Sequence, residues 1–248
     1  MLKDVREKNF DPIIWQRVEK TKEELADSYR LHAGNNVNLI CEKLSLLQEK
    51  NGLFVECGVF NGTSLFSVAL FCKKEDLQIP LCGFDTFEGF PEKMAHIYDQ
   101  PPYFNVLFSK GEITKEHLEK AKQRTKNFTD TSALEKEYFL HVDNVFKIKN
   151  DFPNVTLVKG AFAKTLPEIK TPIVILYLDC DLYQSYLDCF TSLYNAVIPG
   201  GVIIFDEYYS LKYPGARVAV NEFFNDKNGY FERYKTPDTF ERWCFVKT

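Results

Sequence analysis

Four carboxylates stand directly after two apolar runs, Asp179 and Asp181 after Ile173–Leu178 and Asp206 and Glu207 after Val202–Phe205. Runs this short and this apolar read as buried strands. Asp179 and Asp181, two residues apart, are expected on one side of the chain. Like charges gathered at one rim raise one another's pKa or call for a cation. An all-oxygen ligand set favours a hard divalent ion such as Mg2+ or Ca2+ over zinc. Such an ion lowers the pKa of a hydroxyl, and a neighbouring carboxylate can then take its proton. Read instead as helix caps or surface charges, the four acids give no reason for all falling at the ligand-binding ends of strands.

A second group follows the run Leu53–Cys57, where the chain reads Glu56-Cys57-Gly58-Val59-Phe60-Asn61-Gly62-Thr63-Ser64. Gly58 and Gly62 permit tight turning and close backbone approach, and Thr63 and Ser64 can cap the helix that follows. The pattern E-x-G-x-x-x-G is not the dinucleotide fingerprint G-x-G-x-x-G. With an acid at its head it suits a ligand that carries positive charge, as the ammonium and sulfonium of S-adenosylmethionine do. Asp85, after the run Ile79–Phe84, can accept from ribose hydroxyls or simply cap the next turn. Gly160 follows Val155–Val158 and is either an approach point for adenosine or a plain turn residue.

These groups need elements to hold them. From Leu53 onward short apolar runs alternate with helical patterns, the mark of a parallel α/β sheet. Between the fourth and fifth runs, Tyr186, Leu187, Phe190, Leu193, Tyr194 and Val197 follow helical spacing, so a helix is expected over about 184–197. Pro199-Gly200-Gly201 should stop it and turn the chain into the fifth strand. The expected fold is α/β, a Rossmann-like doubly wound, mainly parallel sheet, with the first, fourth and fifth strands adjacent. Residues 1–50 read as helices, with Val37, Ile40, Leu44 and Leu47 along one face, and form an expected N-terminal helical cap. Residues 51–248 form the expected Rossmann-like domain. Within it, about 91–140 is long enough to be a helical lid rather than a structureless loop. Tyr98, Tyr103 and Phe104 in that lid can stack on a sugar face or form the lid's own core.

Composition excludes several classes. A net charge of −4, with Lys and Arg mixed among Asp and Glu, lacks the basic face that nucleic acid requires. No apolar run approaches the ~20 residues that cross a bilayer, and no early segment reads as a signal peptide. A cytoplasmic protein is expected. Seven scattered cysteines without CxxC spacing argue against disulfides and zinc. His141 lies near the expected cleft, but a lone histidine is more often a packing or surface residue. Arg217 can meet a phosphate of a nucleotide-sugar or pair with a nearby acid. The helical N-terminal arm leaves room for a homodimer.

The segment LYLDCDLYQSYLDCFTSLYNAVIPGGVIIFDEY (Leu176–Tyr208) resembles the signature block of the macrocin O-methyltransferase family. VECGVFNGTS and GFDTFEGFPE resemble that family's cofactor motifs. VTLVKGAFAKTLP, PGARVAVNEFF and the closing RWCFVK are similar to further blocks in the same order. The resemblance runs from about residue 50 to the end. It implies a class I methyltransferase fold and a hydroxyl methylation that uses S-adenosylmethionine and Mg2+. It makes Asp179, Asp206 and Glu207 the expected metal ligands and Asp181 the expected general base. Glu207 stands where Asp is commoner, which leaves open whether it touches the ion. Expected cofactor contacts are Glu56, Gly58, Asn61, Thr63, Ser64, Asp85, Thr86, Gly160 and Asp179. The expected acceptor is a sugar or nucleotide-sugar, from a surface polysaccharide precursor or a glycosylated natural product. A catechol-like phenol, a phosphoryl oxygen, or a nucleotide-binding protein without methyl transfer are the alternatives.

Overall fold

The computed structural model describes residues 2–89, 96–126, 142–237 and 240–248. The elements are β1 (Val5–Lys8), α1 (Pro12–Tyr29), α2 (Asn36–Leu46), β2 (Leu53–Cys57), α3 (Thr63–Lys74), β3 (Leu81–Asp85), α4 (Tyr103–Ser109) and α5 (Lys115–Lys126). There follow α6 (residues 142–149), β4 (Val155–Lys159), α7 (Phe162–Thr165), β5 (Ile173–Leu178), α8 (Tyr183–Leu193), β6 (Val197–Phe205), α9 (Gly215–Phe223), β7 (Gly229–Lys235) and β8 (Glu241–Lys247).

The strands make one sheet in the order β1-β7-β8-β6-β5-β2-β3-β4. Only β8 runs against its neighbours, β6 and β7. β5 is buried along all six residues, as a central parallel strand must be. Its register explains the site. Cys57 pairs with Leu178 and Leu178 with Phe205, so the next residues, Gly58, Asp179 and Asp206, leave the sheet side by side. Backbone bonds from Asp179 N to Cys57 O and from Asp206 N to Leu178 O, each 2.9 Å, carry that alignment one residue past the strands. The expected adjacency of the first, fourth and fifth strands of the alternation is what the sheet shows.

Helices cover both faces. α1, α2 and α3 pack with Val37, Leu39, Ile40, Phe66 and Phe71 on the side that receives Ile175 and Tyr177 of β5. α8 and α9 bring Tyr186, Phe190, Ala216 and Val220 to the other, over Leu176 and Leu178. A third cluster, Phe104, Leu107, Ile113, Leu118 and Ala121, joins α4 and α5 to Val218 of α9. Phe104 is therefore packed within the inserted segment rather than presented to a ligand.

Four elements, β1, β6, β7 and β8, depart from the sequence reading. Residues 5–8 are a strand at the sheet edge beside β7, not part of a wholly helical N-terminus. The strands β7 and β8 lie beyond the five expected runs; in β7, Glu232 and Arg233 interrupt the apolar residues, and buried Glu232 is paired with Lys43 of α2. Pro199-Gly200-Gly201 does not end the helix, which stops at Leu193 and gives way to one 3-10 turn, Tyr194–Ala196. The three residues lie inside β6, where the register shifts between Ile173↔Val197 and Ile175↔Val202 and Gly200 takes φ +78°. All seven cysteines are buried and free, and no helix among the described residues is long and apolar enough to cross a membrane.

Candidate active site

At the carboxyl rim of β2, β5 and β6 the structure brings three of the expected acids together. Asp179, Asp206 and Glu207 each offer an oxygen, and these atoms lie within 4.8 Å of one another. Burial pushes the Asp179 carboxyl well above the usual range, and the charges of Asp206 and Asp181 push it further. Glu207 is raised in the same way, by burial and then by Asp179 and Asp181. A cation is the chemical remedy for such a cluster, and three carboxylates are the donor set that hard divalent ions take.

Asp181 sits differently from its expected place. β5 ends at Leu178, so the strand pleat does not align Asp181 with Asp179. Asp181 instead holds φ +62° in a three-residue turn closed by Leu182 N donating to Cys180 O at 2.7 Å. Its own N–H lies 3.3 Å from Glu207 Oε2. The side chain borders a pocket of about 380 Å³ together with Asp206, Glu207, Tyr209, Lys212 and Tyr213. Burial pushes Asp181 up to about 7, with the Lys212 ammonium opposing and the Asp206 and Asp85 charges adding. A carboxylate poised there matches the working range of a general base.

The glycine turn lies beside these acids. Gly58 has φ +94°, and a Cβ on it would fall 1.8 Å from the carbonyl oxygen of Asp179. Glu56 is fully buried beneath the turn; its Oε1 accepts from Ser64 Oγ at 2.7 Å and its Oε2 has no partner. Burial raises its pKa well above the carboxylate range. Thr63 and Ser64 do not cap α3: Gly62 occupies the cap position, and Asn61 Oδ1 accepts from Thr63 N at 3.1 Å and Oγ1 at 2.8 Å. Asp85 uses Oδ2 to accept from Val59 N and Phe60 N, both at 2.9 Å, and Oδ1 to accept from Phe87 N at 2.8 Å. It thus holds the turn in place, and a ribose contact would have to share those oxygens. Thr86 Oγ1 donates to Gly89 O at 2.9 Å, and Gly160 N donates to Asp85 O at 2.9 Å, which ties the end of β4 to the end of β3.

Several residues that hold this centre carry no signal in the sequence. Tyr177 and Tyr186 read there as core, yet both hydroxyls serve carboxylates. Tyr177 Oη lies 3.0 Å from Asp179 Oδ2 and 3.0 Å from Asp206 Oδ1, and Tyr186 Oη donates to Glu207 Oε2 at 2.7 Å. Arg242 of β8 donates to Asp206 Oδ1 at 3.0 Å. Arg217 meets none of the acids; its guanidinium stacks 4.0 Å over Tyr208 and donates to Glu112 O. Tyr98 packs against Tyr103 and Tyr183, beside His96 stacked on Tyr183. His141 lies outside the described residues.

One tie between α5 and the pocket is a histidine. His117 of α5 is buried, and its Nε2–H donates to Ser210 O at 2.7 Å, on the loop that walls the pocket. Burial lowers its pKa to about 4, against a smaller opposing effect of the Ser210 bond. Its folded pKa lies below the unfolded 6.5, so its stabilising effect is complete above pH 6.5 and is lost as pH falls toward 4. That loss is on the order of 3 kcal/mol. His117→Phe is expected to flatten the fall of melting temperature between pH 6.5 and 4. A variant with the parent's acid slope would show that His117 does not govern docking.

A family model described as macrocin-O-methyltransferase (TylF) matches residues 35–232. The 8-demethyl-8-(2,3-dimethoxy-alpha-L-rhamnosyl)-tetracenomycin-C 4'-O-methyltransferase of Streptomyces olivaceus is 28% identical over 183 residues, 68% of this chain and 57% of that protein. The chain thus spans little more than half the length of this curated relative. Among solved structures, the calicheamicin methyltransferase CalS11 superposes with a TM-score of 0.55 at 18% identity, over 95% of this chain and 93% of that one. The O-methyltransferase NovP gives 0.51 at 19% identity, over 94% and 80%. At such identities the likeness establishes the fold, that of the class I methyltransferases.

Proposed function

The chain belongs to the macrocin O-methyltransferase family, and from that premise we propose that it methylates a hydroxyl of a sugar or sugar-containing molecule, with S-adenosylmethionine as donor and a divalent cation, Mg2+ or a similar hard ion, at the acidic rim. The single observation that carries the reading is the convergence of Asp179, Asp206 and Glu207 beside the Gly58 turn, at the rim where open α/β sheets take their ligands. The tetracenomycin relative acts, by its name, on a sugar 4'-oxygen, which favours a sugar acceptor here as well.

The residues divide the work. Ser64 Oγ donates to Glu56 Oε1 and keeps its own oxygen free to accept from the donor's ammonium; the unpartnered Glu56 Oε2 beneath it is a further acceptor. Gly58 lets the turn close on Asp179 at the end of β5. Asp179, Asp206 and Glu207 would hold the ion, which when bound makes a nearby hydroxyl more acidic. Asp181 would take the proton of the acceptor hydroxyl, and the donor, when bound, would supply the methyl group, its sulfur keeping the electron pair of the bond to carbon. Positioning in line supplies much of the rate.

Asp181→Asn is a clean test of that role, since Asn tolerates the left-handed backbone of residue 181. Turnover should fall roughly 10²–10⁴-fold while affinity for S-adenosylhomocysteine stays within about twofold. Undiminished turnover would remove Asp181 as base. The activity itself is tested by transfer of labelled methyl from S-adenosylmethionine to a panel of nucleotide-linked sugars, with Mg2+ or with EDTA. Metal-dependent labelling of a sugar is expected; labelling of catechols alone would overturn the sugar assignment.

A further inference from the structure

The three acids do not meet by strand register alone. Tyr177, two residues before Asp179 on β5, is fully buried and points to the α1–α3 face, away from α8 and α9. Its hydroxyl reaches the rim and stands 3.0 Å from Asp179 Oδ2 and 3.0 Å from Asp206 Oδ1. Asn36 Nδ2 donates to the same hydroxyl at 2.6 Å, from the first residue of α2 and 141 positions away in sequence. An amide N–H can only donate, so it occupies a lone pair of the phenol oxygen and directs the one phenol proton to the carboxylates. Arg242 donates to the same Oδ1 of Asp206 at 3.0 Å. A carboxylate anchored through one oxygen can present its other oxygen to an ion, which is the way outer groups orient metal ligands.

We propose that Tyr177 is a positioning residue of the acidic centre, that it draws Asp179 and Asp206 together through one shared hydroxyl, and that Asn36 makes this depend on the docking of helix α2. The inference rests on the reading of the three acids as a cation site. It gives the N-terminal helices a part in the chemistry: they supply the amide that orders the centre, although they contribute none of its ligands.

The test is Mn2+ binding to the purified full chain, followed by calorimetry and by loss of the free-ion EPR signal, with no substrate and no turnover involved. Tyr177→Phe keeps the ring and removes the hydroxyl; affinity for Mn2+ should fall about 10–100-fold. Asn36→Ala should weaken binding in the same direction by a smaller factor. The double variant should bind no more weakly than Tyr177→Phe alone, because Asn36 acts through the phenol. Parental affinity in both single variants overturns the proposal and leaves the cation site standing. Additive losses in the double variant overturn the link between Asn36 and Tyr177. Should Tyr177→Phe fail to fold, parental affinity in Asn36→Ala overturns the role of α2. A parent chain that takes no Mn2+ at all overturns both this inference and the cation site itself.

Discussion

Asp179→Asn should remove turnover and, in the absence of metal, make the chain more stable. The two effects share one cause. Burial and the charges of Asp206 and Asp181 drive the Asp179 carboxyl well above its ordinary pKa, so its ionised form is costly in the folded state. An amide of the same shape can still accept from Tyr177 and lifts that cost. Each kcal/mol recovered raises the melting temperature by roughly 2–4 °C in a chain of this size. The variant loses one of three converging ligands, and with it the several kcal/mol that a Lewis acid supplies, about 10²–10⁴-fold in rate. Calorimetric melting in EDTA and a Mg2+ titration of turnover measure the two together. A variant that still responds to Mg2+ would take Asp179 out of the metal shell. A lower melting temperature in EDTA would show that the cluster is not under strain.

Gly58→Ala is expected to be the most damaging single-methyl addition in the glycine turn. Its Cβ would sit 1.8 Å from Asp179 O and 2.7 Å from Asp179 C, both backbone atoms at the end of a central strand. Relief requires moving Asp179 off the bond it makes to Cys57 O, which is the bond that aligns the rim. The residue also holds φ +94°, a region that L side chains resist. Together these cost on the order of 3–5 kcal/mol, or roughly 10 °C in melting temperature, and should abolish binding of S-adenosylhomocysteine. Gly89→Ala is the control: it shares a positive φ of +80°, but its Cβ would meet nothing within 4 Å among the described residues. It should lose only about 1–2 kcal/mol. Equal damage from both substitutions would mean that backbone conformation, not contact with Asp179, explains the loss.

The acids were legible in the sequence because parallel strands put all their carboxyl ends on one rim. Given that β2, β5 and β6 are neighbours, a residue's distance from the end of its apolar run places it. The same logic failed one turn later. Strand pleat puts Asp181 beside Asp179, but its position comes from a left-handed turn past the end of β5, which alternation cannot describe. The supporting residues were illegible for another reason. A tyrosine in the run Ile173–Leu178 reads as core, and its ring is core; only the partners of its hydroxyl reveal its second part. Two of those partners, Asn36 of α2 and Asp206 just past β6, lie far from Tyr177 in the chain. Arg242 is hidden similarly, at the start of β8 beside Glu241, which pairs with Arg233 of the neighbouring strand. Pro199-Gly200-Gly201 was read as a helix stop from local turn chemistry, whereas the sheet absorbs it as an irregularity of β6.

The central claim is that one rim binds the methyl donor beside a divalent ion. Calorimetric titration of S-adenosylhomocysteine into the purified chain, with and without Mg2+, tests it most directly. The account predicts micromolar binding in both conditions, with Mg2+ binding separately at the acidic rim and lost in Asp179→Asn. Absence of S-adenosylhomocysteine binding in either condition would contradict the account and leave only the fold.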